Sequence, residues 1–227
     1  MGEVIVFQER KVTARGACKN SFNENKLKEF IFAGDYEKLN NLDAHLKQKI
    51  TLFLENPTLF YPGCGADILS PLLYLERLFS PLQEVNFIFL DHDYSLGIIK
   101  TVLDDVGVSF AVMIKLPKDK YMAQMKGGIV FYWKEMLVKL YFHQGNVFTS
   151  LPQLPEYDIY FEKAFRIFKG EEPGQRYESI VFQKLKPQGV LISDSGFQWI
   201  PKKQLQKIPV PRDFSSYGEM IIGVKKE

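Results

Sequence analysis

Apolar residues in this chain come in short runs broken by glycine, proline or charge, and the spacing of the runs changes near residue 57. Before that point the texture is polar and punctuated. In "KLNNLDAHLKQKITLFLENP", Leu39, Leu42, Leu46, Ile50, Phe53 and Leu54 recur at helical spacing and stop before Pro57, which predicts a helix lying against the unit that follows. From Thr58 the pattern turns to strand, glycine loop, helix, strand: "TLFYP", "GCGAD", "SPLLYLERLFS", "VNFIFLDHD". Ser70 followed by Pro71 reads as a helix start, since serine caps free amides and proline fits the first helical position. "YSLGIIKTVLDDVG" reads as a helix. "GGIVFYWKEMLVKLYFHQGNVF" fits two strands about "WKE" or a helix. "YDIYFEKAF" is a strand, "GQRYESIVFQKLKPQG" a helix with a Pro-Gln-Gly stop, and "GVLISDSGF" and "YGEMIIGVKK" are strands. Strands alternating with helices predict an α/β fold: a Rossmann-like, doubly wound, mostly parallel sheet with helices on both faces. Residues 1–57 form a mostly helical extension and 58–227 the main domain, with an inserted segment at about 108–142.

Composition sharpens this picture. A chain of 227 residues with 46% apolar content can bury a substantial core. Its 29 Lys and Arg against 27 Asp and Glu make no single-sign field of the kind that attracts nucleic acid or an anionic membrane. Two cysteines are too few for a disulfide framework, and the start "MGEVIVFQERK" lacks the apolar core of a secretory signal, so a cytoplasmic protein is expected. No apolar run reaches the length of a membrane span. His45, His92 and His143 are scattered without metal-site spacing, and no metal is expected.

In an open α/β sheet, ligands sit beyond the carboxyl ends of the strands where the strand order reverses. The segments to examine are therefore "PGCGAD", "DHD", "GNVF", "FEKAF" and "SDSGF". The first is neither a dinucleotide fingerprint, since Ile68 stands where a third glycine belongs, nor a P-loop, since no Gly-Lys-Ser/Thr follows. Two glycines still let the backbone turn sharply and approach a ligand, and amides at the start of the next helix favour a carboxylate as readily as a phosphate. Such a loop suits an amino-acid-like group attached to a nucleoside. "FIFLDHD" ends an apolar strand in Asp91, further from the glycines than the roughly 20-residue interval of the dinucleotide motif. Its carboxylate can accept from both hydroxyls of a ribose, or it can cap the helix starting near Tyr94.

The ordered set "LFYPGCGAD", "FIFLDHD", "FHQGNVFTSLP", "YDIYFEKAF" and "LKPQGVLIS", covering roughly residues 58–196, resembles the class I methyltransferases that use S-adenosylmethionine. The resemblance implies that Tyr61, Pro62, Gly63, Cys64 and Gly65 bind that cofactor, the last three running along its methionine part. It also implies that Asp91 holds the ribose, that His92 lies along the adenine, and that Asn146 and Val147 sit near the adenine's polar edge. Two positions depart from the family pattern: Tyr61 stands where an acidic residue is usual, and Asp67 where the third glycine would be.

Each candidate has a plainer reading beside the functional one. "QGN" is also an ordinary turn, and Asn146 tolerates left-handed geometry. Cys64 reads as a small loop filler rather than a nucleophile. Glu162 in "FEKAF" is a candidate base or substrate anchor, or a solvated loop charge. Methyl transfer asks chiefly for alignment, so little acid–base machinery is expected. The segment from Val108 to Phe142, with Tyr121, Met122, Met125, Phe131, Tyr132 and Trp133, is either a substrate cover or extra core. The expected activity is methylation of a small molecule or a peptide or protein side chain. The alternatives are a catalytically silent binding or scaffold protein on the same fold, or a nicotinamide-dependent oxidoreductase.

Overall fold

Leu59 and Phe60 on β1 (Thr58–Pro62) and Phe87 to Leu90 on β2 (Glu84–Asp91) are consecutive apolar residues, and all are buried. Strands apolar on both faces belong inside a parallel sheet covered on both sides. The computed structural model describes residues 8–19, 22–31, 33–42, 46, 49–52, 55–114, 125–165, 174–211, 214–215 and 219–226. Its remaining strands are β3 (Phe110–Val112), β4 (Gly127–Trp133), β5 (Met136–Gln144), β6 (Tyr157–Glu162), β7 (Leu185–Ser193), β8 (Leu205–Ile208) and β9 (Ile221–Lys225). They form one nine-stranded sheet in the order β3-β4-β5-β2-β1-β6-β7-β9-β8. The central five, β5-β2-β1-β6-β7, are parallel; β3 and β4 extend one edge and β9 and β8 the other by antiparallel pairing.

The helices are α1 (Glu24–Glu29), α2 (Ala33–Asn40), α3 (Leu69–Leu78), α4 (Leu96–Asp105), α5 (Val147–Ser150) and α6 (Gly174–Lys184). Leu27, Leu39, Leu72 and Leu103, from the first four, join Tyr61, Phe89 and Phe161 in one core layer. On the other face Val147, Tyr177 and Val181 pack with Phe60, Leu90, Tyr160 and Leu191. This is the Rossmann-like doubly wound architecture. Beta1 lies between β2 and β6, so the chain winds out to one side of β1 and later resumes on the other. The strand order therefore reverses between β1 and β6, and their carboxyl ends are where an open sheet of this kind places its ligand crevice.

Three local expectations change, and one alternative left open is resolved. Among the described residues the helix expected through 38–56 is not continuous: α2 ends at Asn40, and Ile50 instead bridges Phe79 in parallel, its N–H donating to Leu78 O and its carbonyl accepting from Ser80 N, both at 2.8 Å. Backbone satisfied by the end of α3 has no need of its own helical turn. Phe53 and Leu54 lie outside the described residues. The segment around "WKE" is a hairpin in which Ile129, Phe131 and Trp133 are buried while Val130 and Tyr132 are half-buried, the period-two alternation of a strand. Helix α3 begins at Leu69, and the Ser70 N–H is taken by Asp67 Oδ1 at 3.0 Å, so aspartate rather than serine supplies the cap. Finally, "LKPQG" belongs to the start of β7, with a register shift opposite Tyr157 and Ile159 and a left-handed Gln188 at φ 61°. Among the described residues no helix is long and apolar enough to cross a membrane.

Candidate functional site

The loop after β1 turns on two left-handed glycines, Gly63 at φ 58° and Gly65 at φ 51°, a conformation costly for any residue with a Cβ. Gly63 N–H donates to Leu90 O at 2.8 Å, which ties the loop to β2. Gly65 is gripped on both sides of its peptide: its N–H donates to Asp91 Oδ2 at 2.7 Å, and its carbonyl accepts from the Ser95 hydroxyl. The two glycines differ in what faces them. A Cβ on Gly65 would meet nothing within 4 Å, whereas one on Gly63 would collide with the Phe165 ring. Cys64 is buried beneath the loop, and burial, aided by Asp91 and Asp67, pushes its thiol well above the ordinary value. It is a filler held as the thiol.

Asp91 stands at the end of β2, half-buried, with its second oxygen accepting from Asp93 N at 3.0 Å. A carboxylate has about four acceptor sites. Two are occupied by backbone N–H groups here, and no cation is paired with Asp91 among the described residues. Neither bond is to the free amides of α4, so the simple helix-cap reading does not describe it. His92 follows, exposed, its carbonyl accepting from Gln144 Nε2 at 3.2 Å. Asp91 O also accepts from Gly145 N at 2.8 Å, which brings the ends of β2 and β5 together. Asn146 is exposed and caps α5, its Oδ1 accepting from Phe148 N at 2.8 Å, while Val147 is buried. Asp91, His92, Asn146 and Val147 thus share the carboxyl edge of the sheet with the glycine loop.

Tyr61 and Pro62 face different surroundings. Tyr61 is buried edge-on against Phe89 and Phe161, and its hydroxyl donates to Asp67 Oδ2 at 3.1 Å. The two positions at which the sequence departs from the pattern it resembles are thereby bonded to each other. Pro62, also buried, closes the strand.

Glu162, at the end of β6, is 1% exposed, so it is no solvated charge. Its carboxylate accepts from Tyr160 OH at 2.5 Å, Ser193 Oγ at 2.5 Å and Ser195 Oγ at 2.8 Å, and Tyr160 in turn meets Tyr177 OH at 2.8 Å. Beside it, on the opposite face, Lys163 reaches Asp35 Oδ2 and Ser70 Oγ, both at 3.3 Å. Burial by itself pulls the Lys163 ammonium down, and Asp67, Asp35 and Asp194 more than restore it, leaving a net rise. Asp194 lies beyond β7 and accepts from Ala164 N at 2.8 Å; burial lifts its carboxyl from 3.8 to about 6, against the pull of that N–H and of Lys163. A cavity of about 20 Å³, room for one water, sits among Asp35, Tyr74, Lys163 and Asp194.

Sequence reasoning does not single out Ser95, Lys163, Phe165 or Asp194, and it marks Asp67 only as a departure from the pattern. "FEKAF" and "SDSGF" were marked as strand-end segments, and within them position alone gave no reason to prefer these residues. Of the two readings of the segment from Val108 to Phe142, extra core is the one its described aromatics fit. Trp133 and Phe131 are buried in the core, and Trp133 pairs with Met136 at the amino end of β5, the wrong edge of the sheet for a cover. The hairpin reverses the chain, and so its aromatic end points away from the crevice. Tyr121 and Met122 lie outside the described residues. The aromatics that do gather at the carboxyl edge are Phe148, Phe165, Tyr177 and Phe197, with Trp199 more than half exposed.

No protein-family model matches the chain, and no curated protein sequence matches it. Among solved structures it is similar to a precorrin-6y C5,15-methyltransferase from Geobacter metallireducens, with 12% identity, a TM-score of 0.40, and coverage of 84% of this chain and 89% of that one. It is also similar to a candidate S-adenosyl-L-methionine-dependent methyltransferase from Methanococcus maripaludis, at 13% identity, TM-score 0.42, covering 90% of this chain and 91% of that one. A SAM-dependent methyltransferase from Thiobacillus denitrificans, solved with S-adenosyl-L-homocysteine, matches at 11% identity and TM-score 0.37 over 69% of this chain; the chain spans 47% of that protein's length. These likenesses concern the fold alone.

Proposed function

We propose that the chain binds S-adenosylmethionine and transfers its methyl group to a small molecule or a peptide side chain. The observation that carries this reading is the joining of Gly65 to the Asp91 carboxylate at the strand-order reversal, with open space over Gly65. The residues fit such a group. Asp91 keeps acceptor capacity for a ribose diol, the exposed His92 borders it, and the left-handed Gly65 lets a ligand approach the backbone. When bound, the cofactor supplies an electrophilic methyl on a sulfonium, and the protein's part is alignment and exclusion of water. Asp91 would hold the sugar, and the loop amides of Cys64 and Gly65 would border the amino-acid end. Asn146 and Val147 would flank the base. The cytoplasm is the compartment that suits two unpaired cysteines, Cys18 and Cys64.

Titration calorimetry with S-adenosylmethionine, S-adenosylhomocysteine and NAD tests this. Heat from the first two and none from NAD is the expected result, and binding of NAD alone overturns the reading in favour of an oxidoreductase. A second reading, a binding protein that keeps the fold without catalysis, is favoured by one observation: the candidate base Glu162 is buried and already holds three hydroxyls. A methyl-release assay against pooled metabolites and peptides separates the two. Tight cofactor binding with no pool methylated selects the silent protein.

A further inference from the structure

The glycine loop is open at one glycine and filled at the other, and the filling group comes from the loop after β6. Phe165 is 2% exposed, and its ring occupies the volume that a Cβ on Gly63 would need. The ring is seated against Tyr177 at 5.5 Å and half-buried Phe148 at 6.4 Å between centroids. The backbone that delivers it is strained: Ala164 has φ 56°, a left-handed value that a residue with a Cβ adopts only where surrounding structure imposes it. Asp194 imposes it here, its Oδ1 accepting from the Ala164 N–H. Three separate features therefore converge on one position of one ring: the fit over Gly63, the strained Ala164 and the carboxylate anchor on a different strand end.

We propose that Phe165 is an internal plug that competes with the ligand for the space over Gly63, and that the Asp194–Ala164 hydrogen bond sets it in place. The proposal rests on reading the glycine loop as a ligand cradle. A ligand that reaches Gly63 on the side where a Cβ would project must first displace the ring, so its apparent affinity is reduced by the fraction of chains in which the ring is in place. Removing the ring abolishes that reduction. Relieving the strain at Ala164 deepens it, because glycine accepts φ 56° without cost and so favours the plugged arrangement.

The test is calorimetric titration of S-adenosylhomocysteine into the wild type, Phe165→Ala and Ala164→Gly, with a thermal melt of each free protein. Phe165→Ala is expected to bind at least tenfold more tightly despite a lower melting temperature. Ala164→Gly is expected to melt higher and to bind about threefold more weakly. Equal affinity in all three proteins overturns the plug and leaves the proposed function standing. No binding to any of them overturns the reading of the loop, and the plug with it. If Phe165→Ala does not fold, Ala164→Gly decides: weaker binding supports the plug, and unchanged affinity sinks it.

Discussion

Asp91 and Asp194 are both carboxylates at the carboxyl edge of the sheet, and their donors give them different tasks. Asp91 accepts two backbone N–H groups and remains half-buried, which leaves acceptor capacity for hydroxyl donors. Asp91→Asn keeps one acceptor oxygen for Gly65 but loses the charge and half the acceptor capacity. We expect a loss of about 1.5 to 3 kcal/mol of S-adenosylhomocysteine binding, roughly 10- to 150-fold, with a smaller apo stability loss of about 1 kcal/mol, because the new NH₂ faces the Gly65 or the Asp93 N–H. A melting temperature that falls while affinity holds would make Asp91 purely a loop tie. Asp194 is buried and accepts one N–H, and burial lifts its carboxyl to about 6. Its native form therefore binds a proton more readily than the unfolded chain does, and the stability this brings is present below about pH 3.8 and lost as the pH rises through 6. The full shift corresponds to about 3 kcal/mol. Asp194→Asn should accordingly be about 1 to 3 kcal/mol more stable than wild type at pH 8, with the gap closing towards pH 4, as read from urea unfolding at a series of pH values. Glu162, Asp67 and Lys163 are the charged groups acting on it, and a gap that widens on acidification would refute the assignment.

At the scale of elements, the chain's apolar rhythm was informative wherever a strand was buried on both faces. Beta1, β2, β6 and the glycine loop between β1 and α3 were all readable from "TLFYPGCGAD", "VNFIFLDHD" and "YDIYFEKAF". Beta8 was not: Leu205 is buried and Gln206 and Lys207 are exposed in a four-residue edge strand, too short for its alternation to stand out. The helix expected across residues 38–56 failed for the opposite reason. Its apolar spacing was real, and Leu39 and Leu42 are buried, but the chain beyond it found backbone partners at the end of α3. The site was legible in its ends and not in its centre, because Lys163, Phe165 and Asp194 meet only through tertiary contact. The loop itself yields a paired prediction. Gly65→Ala should cost about 1 to 2 kcal/mol, the strain of a left-handed alanine alone, since no atom lies within 4 Å of the new methyl. Gly63→Ala adds a collision with the Phe165 ring and should cost clearly more, by at least about 1 kcal/mol. Equal losses in denaturant melts would mean that the ring yields freely.

For the whole molecule, the strand-order reversal is also where buried polarity is concentrated. Glu162 on β6 holds Tyr160 of its own strand and Ser193 and Ser195 at the end of β7, and through Tyr160 it reaches Tyr177 on α6. One carboxylate thus connects two parallel strands to the helix that covers them, and each hydroxyl in the group depends on its acceptors. Glu162→Gln preserves shape but replaces an acceptor oxygen with an NH₂ donor facing groups that already donate. The expected loss is about 1 to 3 kcal/mol of unfolding free energy, and Glu162→Leu, which removes the shared acceptor of all three hydroxyls, should lose more. Cofactor affinity should change less than twofold in Glu162→Gln, because Asp91 and Gly65 belong to the other side of β1. Melts, S-adenosylhomocysteine titration and a methyl-release assay on the same protein separate the two roles. A stability loss with turnover per folded molecule unchanged makes Glu162 the anchor of the reversal point. A fall in turnover beyond the folded fraction, with affinity intact, makes it the group that acts on the methyl acceptor.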